Sequence, residues 1–186
     1  MEAISIIQRY YPLSILDQKK LESLFQRIQI DKNTDIIQSG KTSNYLYFIK
    51  TGSCRIFYHK DGREVILDFA FPGDVLISLN SYIYGKTGYE TIQTMEIAEL
   101  YQIDTRLLEE FYRSSIGIAN WGRKLAEIET LKIESRLMSK LFKNASESYQ
   151  ELMERAPKMI HTIKLGYIAS YLGISQVTLS RIRGKI

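Results

Sequence analysis

Apolar spacing divides the chain into three zones. Between residues 4 and 28, Ile15, Leu16, Leu21, Leu24, Phe25 and Ile28 recur at steps of three and four, the period of a helix. From 30 to 103 the runs shorten. Residues 45–49, 55–58 and 65–69 are apolar or alternating, and Ser39-Gly40, Thr51-Gly52, Asp61-Gly62 and Pro72-Gly73 separate them. Short strands with turn signals about ten residues apart predict an antiparallel sandwich or barrel. A parallel α/β sheet is disfavoured because no helical stretch lies between the strands. Asp61-Gly62 between apolar runs predicts a hairpin, since both residues tolerate positive φ.

The helical period returns from Thr105 to about Arg155, which predicts one long helix beginning near Thr105. Ile118, Trp121, Leu125 and Ile128, preceded by Phe111, follow the 3-4-3 spacing of a coiled-coil stripe. Such a stripe meets a second copy or lies on the β region, and one helix can do both. Leu137, Met138, Leu141, Phe142 and Ala145 form a further stripe before Pro157 stops the helical run.

Composition narrows the function. The 186 residues are 45% hydrophobic and 25% charged, a globular balance with room for one large domain or two small ones. No apolar run is long enough for a membrane helix, and the N-terminus lacks a signal-peptide pattern, so the expected location is cytoplasmic. Cys54 is the single cysteine, and the two histidines, His59 and His161, are far apart. Disulfides, thiolate metal sites and multi-histidine metal enzymes are therefore not expected, and no metal or cofactor is assigned. Neither a catalytic triad nor a phosphate-binding glycine loop is visible, so no enzyme activity is expected. The net charge of +4 is unevenly spread: residues 156–186 hold five bases and no acid, while the rest holds 20 bases against 21 acids. This is either a solvated basic tail or a surface for phosphates.

The pattern within 165–182 favours the second. Ile168 and Leu172 repeat on one helix face, Ala169 is small where a second helix would cross, and Gly173 suits a turn. Ser175 is a good N-cap for a following helix, whose Leu179 and Ile182 face inward with Ile174. This is a helix-turn-helix pattern, with helices expected at about 165–172 and 175–184. Ser175, Gln176, Val177, Thr178, Ser180 and Arg181 are left facing outward, where Gln can bond adenine, Arg guanine, and Val or Thr a thymine methyl. Lys164, Arg183 and Lys185 are candidates for phosphate contacts. The competing reading is an ordinary helical hairpin.

The order of β-rich region, helix and helix-turn-helix resembles the Crp/Fnr family of bacterial regulators, and in particular its short members. The resemblance rests on Gly40 followed by Tyr45-Leu46-Tyr47-Phe48-Ile49-Lys50-Thr51-Gly52, on Phe71-Pro72-Gly73-Asp74, and on Tyr167–Ser175 with Leu179-Ser180-Arg181-Ile182. It implies an α+β fold: an N-terminal antiparallel β-roll of the cyclic-nucleotide-binding type (1–104), a dimerisation helix (105–132) and a helix-turn-helix domain (133–186). It also implies a homodimer joined through Phe111, Ile118, Trp121, Leu125 and Ile128, a palindromic double-stranded DNA operator, a small-molecule effector and RNA polymerase as a partner.

Two departures qualify it. Cyclic-AMP-binding members hold a glutamate for the ribose and an Arg-Ser pair for the phosphate after the Gly-Asp turn. Here Ser78 stands at the glutamate position, and no arginine occurs in 85–91. Gly73, Asp74, Val75, Ser78, Lys86 and Trp121 remain as the effector-pocket candidates, with Lys86 only a point charge where arginine would clamp bidentately. The usual cyclic AMP mode is therefore not expected. The second departure is that no strand pair for a wing follows the recognition helix before Ile186. The alternative function is a small-molecule-binding β-roll whose helical tail makes protein contacts.

Overall fold

The computed structural model describes residues 1–155, 157 and 160–184. Two helices, α1 (Ala3–Tyr10) and α2 (Ile15–Glu22), lead into β1 (Gln26–Ile30), β2 (Asp35–Ile37), β3 (Tyr45–Thr51), β4 (Cys54–Lys60), β5 (Arg63–Ala70) and β6 (Val75–Leu76). A short helix α3 (Leu79–Tyr84) precedes β7 (Thr91–Thr94) and β8 (Ala98–Asp104). Helices α4 (Thr105–Ser114), α5 (Ile116–Phe142), α6 (Ala145–Arg155), α7 (Leu165–Leu172) and α8 (Gln176–Arg183) follow. The fold is α+β, as expected.

The strands form two four-stranded antiparallel sheets, ordered β1-β8-β3-β6 and β2-β7-β4-β5. Side chains alternate across a strand, so a strand covered on both faces reads as a continuous apolar run. In β3, Leu46 and Phe48 point to the helical layer of α1, α2, α4 and α5, while Tyr47 and Ile49 point between the sheets with Ile37, Ile92 and Leu100. The other face of the second sheet, with Phe57, Ile66 and Phe69, is covered by α6, α7 and α8. At the β4–β5 hairpin Lys60 pairs with Arg63, and the two loop residues Asp61 and Gly62 have φ of 52° and 73°. This is the two-residue turn that Asp-Gly predicts.

Two expectations are corrected. The stretch 4–28 is not one helical zone. Pro12 lies in the link after α1, and by Gln26 the chain is already a strand, with Ile28 paired to Leu100. Ile15 and Leu16 are 76% and 65% exposed, and of the six spaced residues only Leu21 is fully buried. Nor does one long helix start at Thr105. Ser115 is extended (φ −142°), and its hydroxyl accepts from the Ile118 amide at 3.2 Å and donates to Asp17 at 2.8 Å. It thus ends α4 and caps α5, and the expected boundary at 132 falls inside α5.

Candidate DNA-reading helix and effector region

Helices α7 and α8 form the expected helix-turn-helix. Gly173 ends α7 at φ 68°, and the Ile174 amide donates to the Ala169 carbonyl at 3.0 Å across the turn. A residue with a β-carbon is strained there. Ser175 caps α8 by accepting from the Thr178 amide at 3.1 Å, and its hydroxyl also lies 2.9 Å from that of Thr178. Leu179 is fully buried and Ile168 and Ala169 are buried with it, while Ser175, Gln176, Val177, Thr178, Ser180, Arg181 and Arg183 are exposed. The hydroxyls of Ser175 and Thr178 are thus occupied in the cap, and the Gln176 amide lies back against Gly166 of α7. Val177, Ser180, Arg181 and Arg183 project most freely. Lys164, expected at DNA phosphate, has its ammonium 5.4 Å from the Tyr167 ring centroid, in a cleft facing the β-roll. Lys185 lies outside the described residues.

The motif does not hang free. Helix α7 lies along β5, the edge strand of the second sheet. The Ile66 amide donates to Ser170 Oγ at 3.1 Å, and that hydroxyl donates to the Glu64 carbonyl at 3.3 Å. Arg55 of β4 is buried, its guanidinium 4.1 Å from the Phe57 ring centroid and 4.3 Å from that of Tyr167. It donates to Glu64 and to Gln93 Oε1 (3.1 and 2.8 Å), and the Arg55 bond holds the Glu64 carboxyl below the usual carboxylate range. Asp68 of β5 pairs with Arg136 of α5 and, at 2.8 Å, with Arg155 of α6. Burial, then the neighbouring Arg155 charge, lowers the Arg136 pKa.

The proposed dimer stripe needs correction. Ile118 and Trp121 are fully buried and Leu125 is 6% exposed within their own chain, and Phe111 and Ile128 pack against the same cluster. The Trp121 indole donates to the Ile7 carbonyl at 2.9 Å, between Tyr10 and Phe48. Ile118, Trp121 and Leu125 therefore have no surface left for a second copy, while Phe111 and Ile128 stay partly exposed. The opposite side of α5 is the open one: Leu131, Ile133, Leu137, Met138, Leu141 and Phe142 are between 48% and 75% exposed.

The effector candidates are not gathered in one pocket. Gly73 and Asp74 form a turn under α1, with Arg9 donating to the Gly73 carbonyl at 3.3 Å and Lys132 paired to Asp74 at 3.2 Å. Val75 is a sheet residue opposite Phe48, Trp121 sits in the helical core, and Lys86 is exposed. Only Ser78 is buried near the expected place, beside Ser81, whose hydroxyl donates to it at 3.3 Å. Glu90, within the stretch where the resemblance implies the arginine, is 9% exposed. A β-carbon on Gly88 would stand 2.5 Å from Ser78 Oγ and 2.8 Å from Glu90 Oε1, so these groups crowd one small volume.

Residues 27–115 match the model of the cyclic nucleotide-binding domain. The anaerobic regulatory protein of Pasteurella multocida is 25% identical over 98% of this chain and 71% of its own length. The regulatory protein HlyX of Actinobacillus pleuropneumoniae is 25% identical over 97% and 81%. Among solved structures, FixK2 from Bradyrhizobium japonicum superposes with a TM-score of 0.73 at 21% identity, over 87% of this chain and 83% of that one. A Crp/Fnr-family regulator from Eubacterium rectale gives 0.71 at 19%, over 95% and 87%. Over nearly its whole length the chain is similar to Crp/Fnr-type regulators, and residues 27–115 match the cyclic nucleotide-binding domain.

The residues that sequence reasoning missed are those joining the β-roll to the C-terminal helices: Arg55, Glu64, Asp68, Arg136, Arg155 and Ser170. One signal was present. Asp68 sits inside the apolar run 65–69, and an acid there needs a buried partner. The partners themselves lie 68 and 87 positions away, beyond any local pattern. No helix among the described residues is long and apolar enough to cross a membrane.

Proposed function

We propose that this protein is a homodimeric, DNA-binding transcription regulator whose β-roll does not take cyclic AMP in the usual way. One observation carries the DNA reading. Helix α8 buries Leu179 and turns Gln176, Val177, Ser180, Arg181 and Arg183 to solvent in a segment without acids. Arg181 is assigned to guanine, Val177 to a thymine methyl, Gln176 to adenine once its amide leaves Gly166, and Arg183 and Lys185 to phosphate. Lys164 is left out because it is turned into the cleft. Dimerisation is assigned to the outer side of α5, where Ile133, Leu137 and Leu141 repeat every four residues beside Met138 and Phe142. A two-fold contact there presents two reading helices to half-sites about 34–36 Å apart.

Against cyclic AMP stand the buried Glu90 carboxyl and the exposed Lys86. An anionic phosphate entering beside a carboxylate, without a guanidinium, is repelled and desolvated at once.

Fluorescence anisotropy against palindromic duplexes over a salt series tests this. Arg181→Ala is expected to cost roughly 1–3 kcal/mol per half-site and to relax preference at one position. Arg183→Ala should weaken all duplexes alike and lower the salt slope by about one. Leu137→Glu with Leu141→Glu should give a monomer by light scattering. Calorimetry should show no heat with micromolar cyclic AMP, and saturable binding would overturn that part. Absence of any salt-dependent duplex binding would leave a β-roll module with a protein-contacting tail.

A further inference from the structure

A recessed cleft of about 230 Å³ opens where the β-roll meets the helix-turn-helix. The β1–β2 turn contributes Lys32, the β3–β4 turn Ser53, β4 Arg55, the β7–β8 turn Glu96, and the start of α7 Lys164 and Tyr167. Three bases thus face one acid. Two of the charged groups already have partners: Glu96 accepts from Ser53 Oγ at 2.7 Å, and Arg55 is bound to Glu64 and Gln93. The ammonium groups of Lys32 and Lys164 join no ion pair among the described residues; the Glu64 carboxyl, already engaged by Arg55, acts on Lys164 only at longer range.

Cations lining one recess repel each other, and low-dielectric walls concentrate their field. An anion relieves that repulsion. The local backbone adds to the case. Helix α7 begins at this wall with Lys164 as N-cap and no side-chain cap bond. Lysine has no acceptor for the first-turn amides, and its charge opposes the helix dipole. The size bounds the ligand. Sites for drug-sized molecules span about 300–1,000 Å³, so this cleft suits a small polyanion and not a dinucleotide.

We propose that the cleft is a binding site for a small polyanion, a polycarboxylate or a phosphate compound, with Lys32 and Lys164 as its charge partners. Lys32 comes from the β-roll and Lys164 from the helix-turn-helix, so the bound anion bridges the two and stabilises their docked arrangement by linkage. If helix α8 reads DNA, the same docking also governs how it is presented, and only that consequence rests on the DNA-binding proposal.

Isothermal titration calorimetry of the full chain without DNA, at fixed ionic strength, tests the site with citrate and inorganic pyrophosphate as probes. At least one should bind saturably, and the response to the two distinguishes carboxylate from phosphate chemistry. Lys32→Gln with Lys164→Gln should weaken binding by about tenfold or more, while Arg181→Gln with Arg183→Gln should leave it unchanged. Both lysines are exposed, and circular dichroism checks that the double variant folds. Saturable binding of neither probe overturns the proposal, as does binding that depends on Arg181 and Arg183 and ignores the lysines. Anion binding that persists in a chain without duplex affinity would keep the site and remove the regulator reading.

Discussion

The two outer faces of the β-roll are sealed by different chemistry. Over the β1-β8-β3-β6 sheet, the helical layer buries Ile6, Ile7, Leu21, Phe48, Leu108, Ile118 and Trp121, with the indole bond to Ile7 as a polar anchor. Over the β2-β7-β4-β5 sheet, Tyr149, Leu152, Ile168 and Leu179 also supply apolar contact, but the alignment is set by Asp68, Arg55, Glu64 and Ser170. Apolar burial is non-directional and indifferent to pH. Ion pairs and hydrogen bonds are directional and can be lost one at a time. The first seal therefore makes α1, α2, α4 and the start of α5 part of the β-roll, whereas the second holds the helix-turn-helix in one register that can be released.

The largest effect should come from the apolar seal. Trp121→Ala removes a fully buried indole and is expected to cost about 3–5 kcal/mol in urea unfolding. A loss below about 1 kcal/mol would mean that α1 and α5 close over the gap, and that the first seal is as adaptable as the second.

Breaking the polar seal should cost less and act locally. Asp68→Ala leaves Arg136 and Arg155 facing each other, their side chains 33% and 34% exposed against 10% for Asp68. Loss of one partner from a fully buried pair costs about 3–5 kcal/mol; the partial exposure reduces this to about 2 kcal/mol. Hydrogen exchange should quicken in α6 and α7 while α1 and the start of α5 stay protected. Equal loss of protection on both sides would erase the distinction between the seals.

This contrast also explains what was legible beforehand. The hairpin at Asp61-Gly62 and the turn at Gly173-Ile174-Ser175 were readable because their signals are local: positive φ, a small crossing residue, a capping hydroxyl. The stripe Ile118–Trp121–Leu125 was visible too, but its destination was not. Helix α5 is apolar on opposite sides, and periodicity cannot say which side the chain keeps for itself. That choice is made by α1, which reaches Trp121 from 114 positions away. The break at Ser115 has the same origin. Nothing in the local pattern forbids a helix there, and the hydroxyl's bond to Asp17, 98 positions distant, helps to fix it.

Acid should separate the two seals without mutation. The Glu64 carboxyl is held below its ordinary value near 4.5 by the bond from Arg55. Its contribution is fully present above that value and is lost as pH falls through the lower, folded value. Glu64 carries this pair at the β5–α7 contact, so α7 should become protease-sensitive in acid. Fluorescence of Trp121, the single tryptophan, should hold its buried emission over the same range. Simultaneous change of both signals would show that the halves unfold as one unit.

The smallest effect tests the register itself. β5 is an edge strand, and such a strand presents amides without a neighbour. At Ile66 the neighbour is a side chain, because the amide donates to Ser170 Oγ at 3.1 Å. Ser170→Ala removes that acceptor. Ser170 is half-buried, so water can partly replace the hydroxyl, and the cost should be about 0.5–1 kcal/mol. Exchange of the Ile66 amide should rise by up to about fivefold, as such an energy implies. The Leu100 amide in β8, flanked by β1 and β3, should not change. Ser170→Thr keeps the hydroxyl and should restore protection at Ile66. If Ser170→Ala leaves Ile66 as protected as before, the register of α7 on β5 is held by Asp68, Arg55 and apolar packing alone. The edge amide then owes its protection to being covered by the helix.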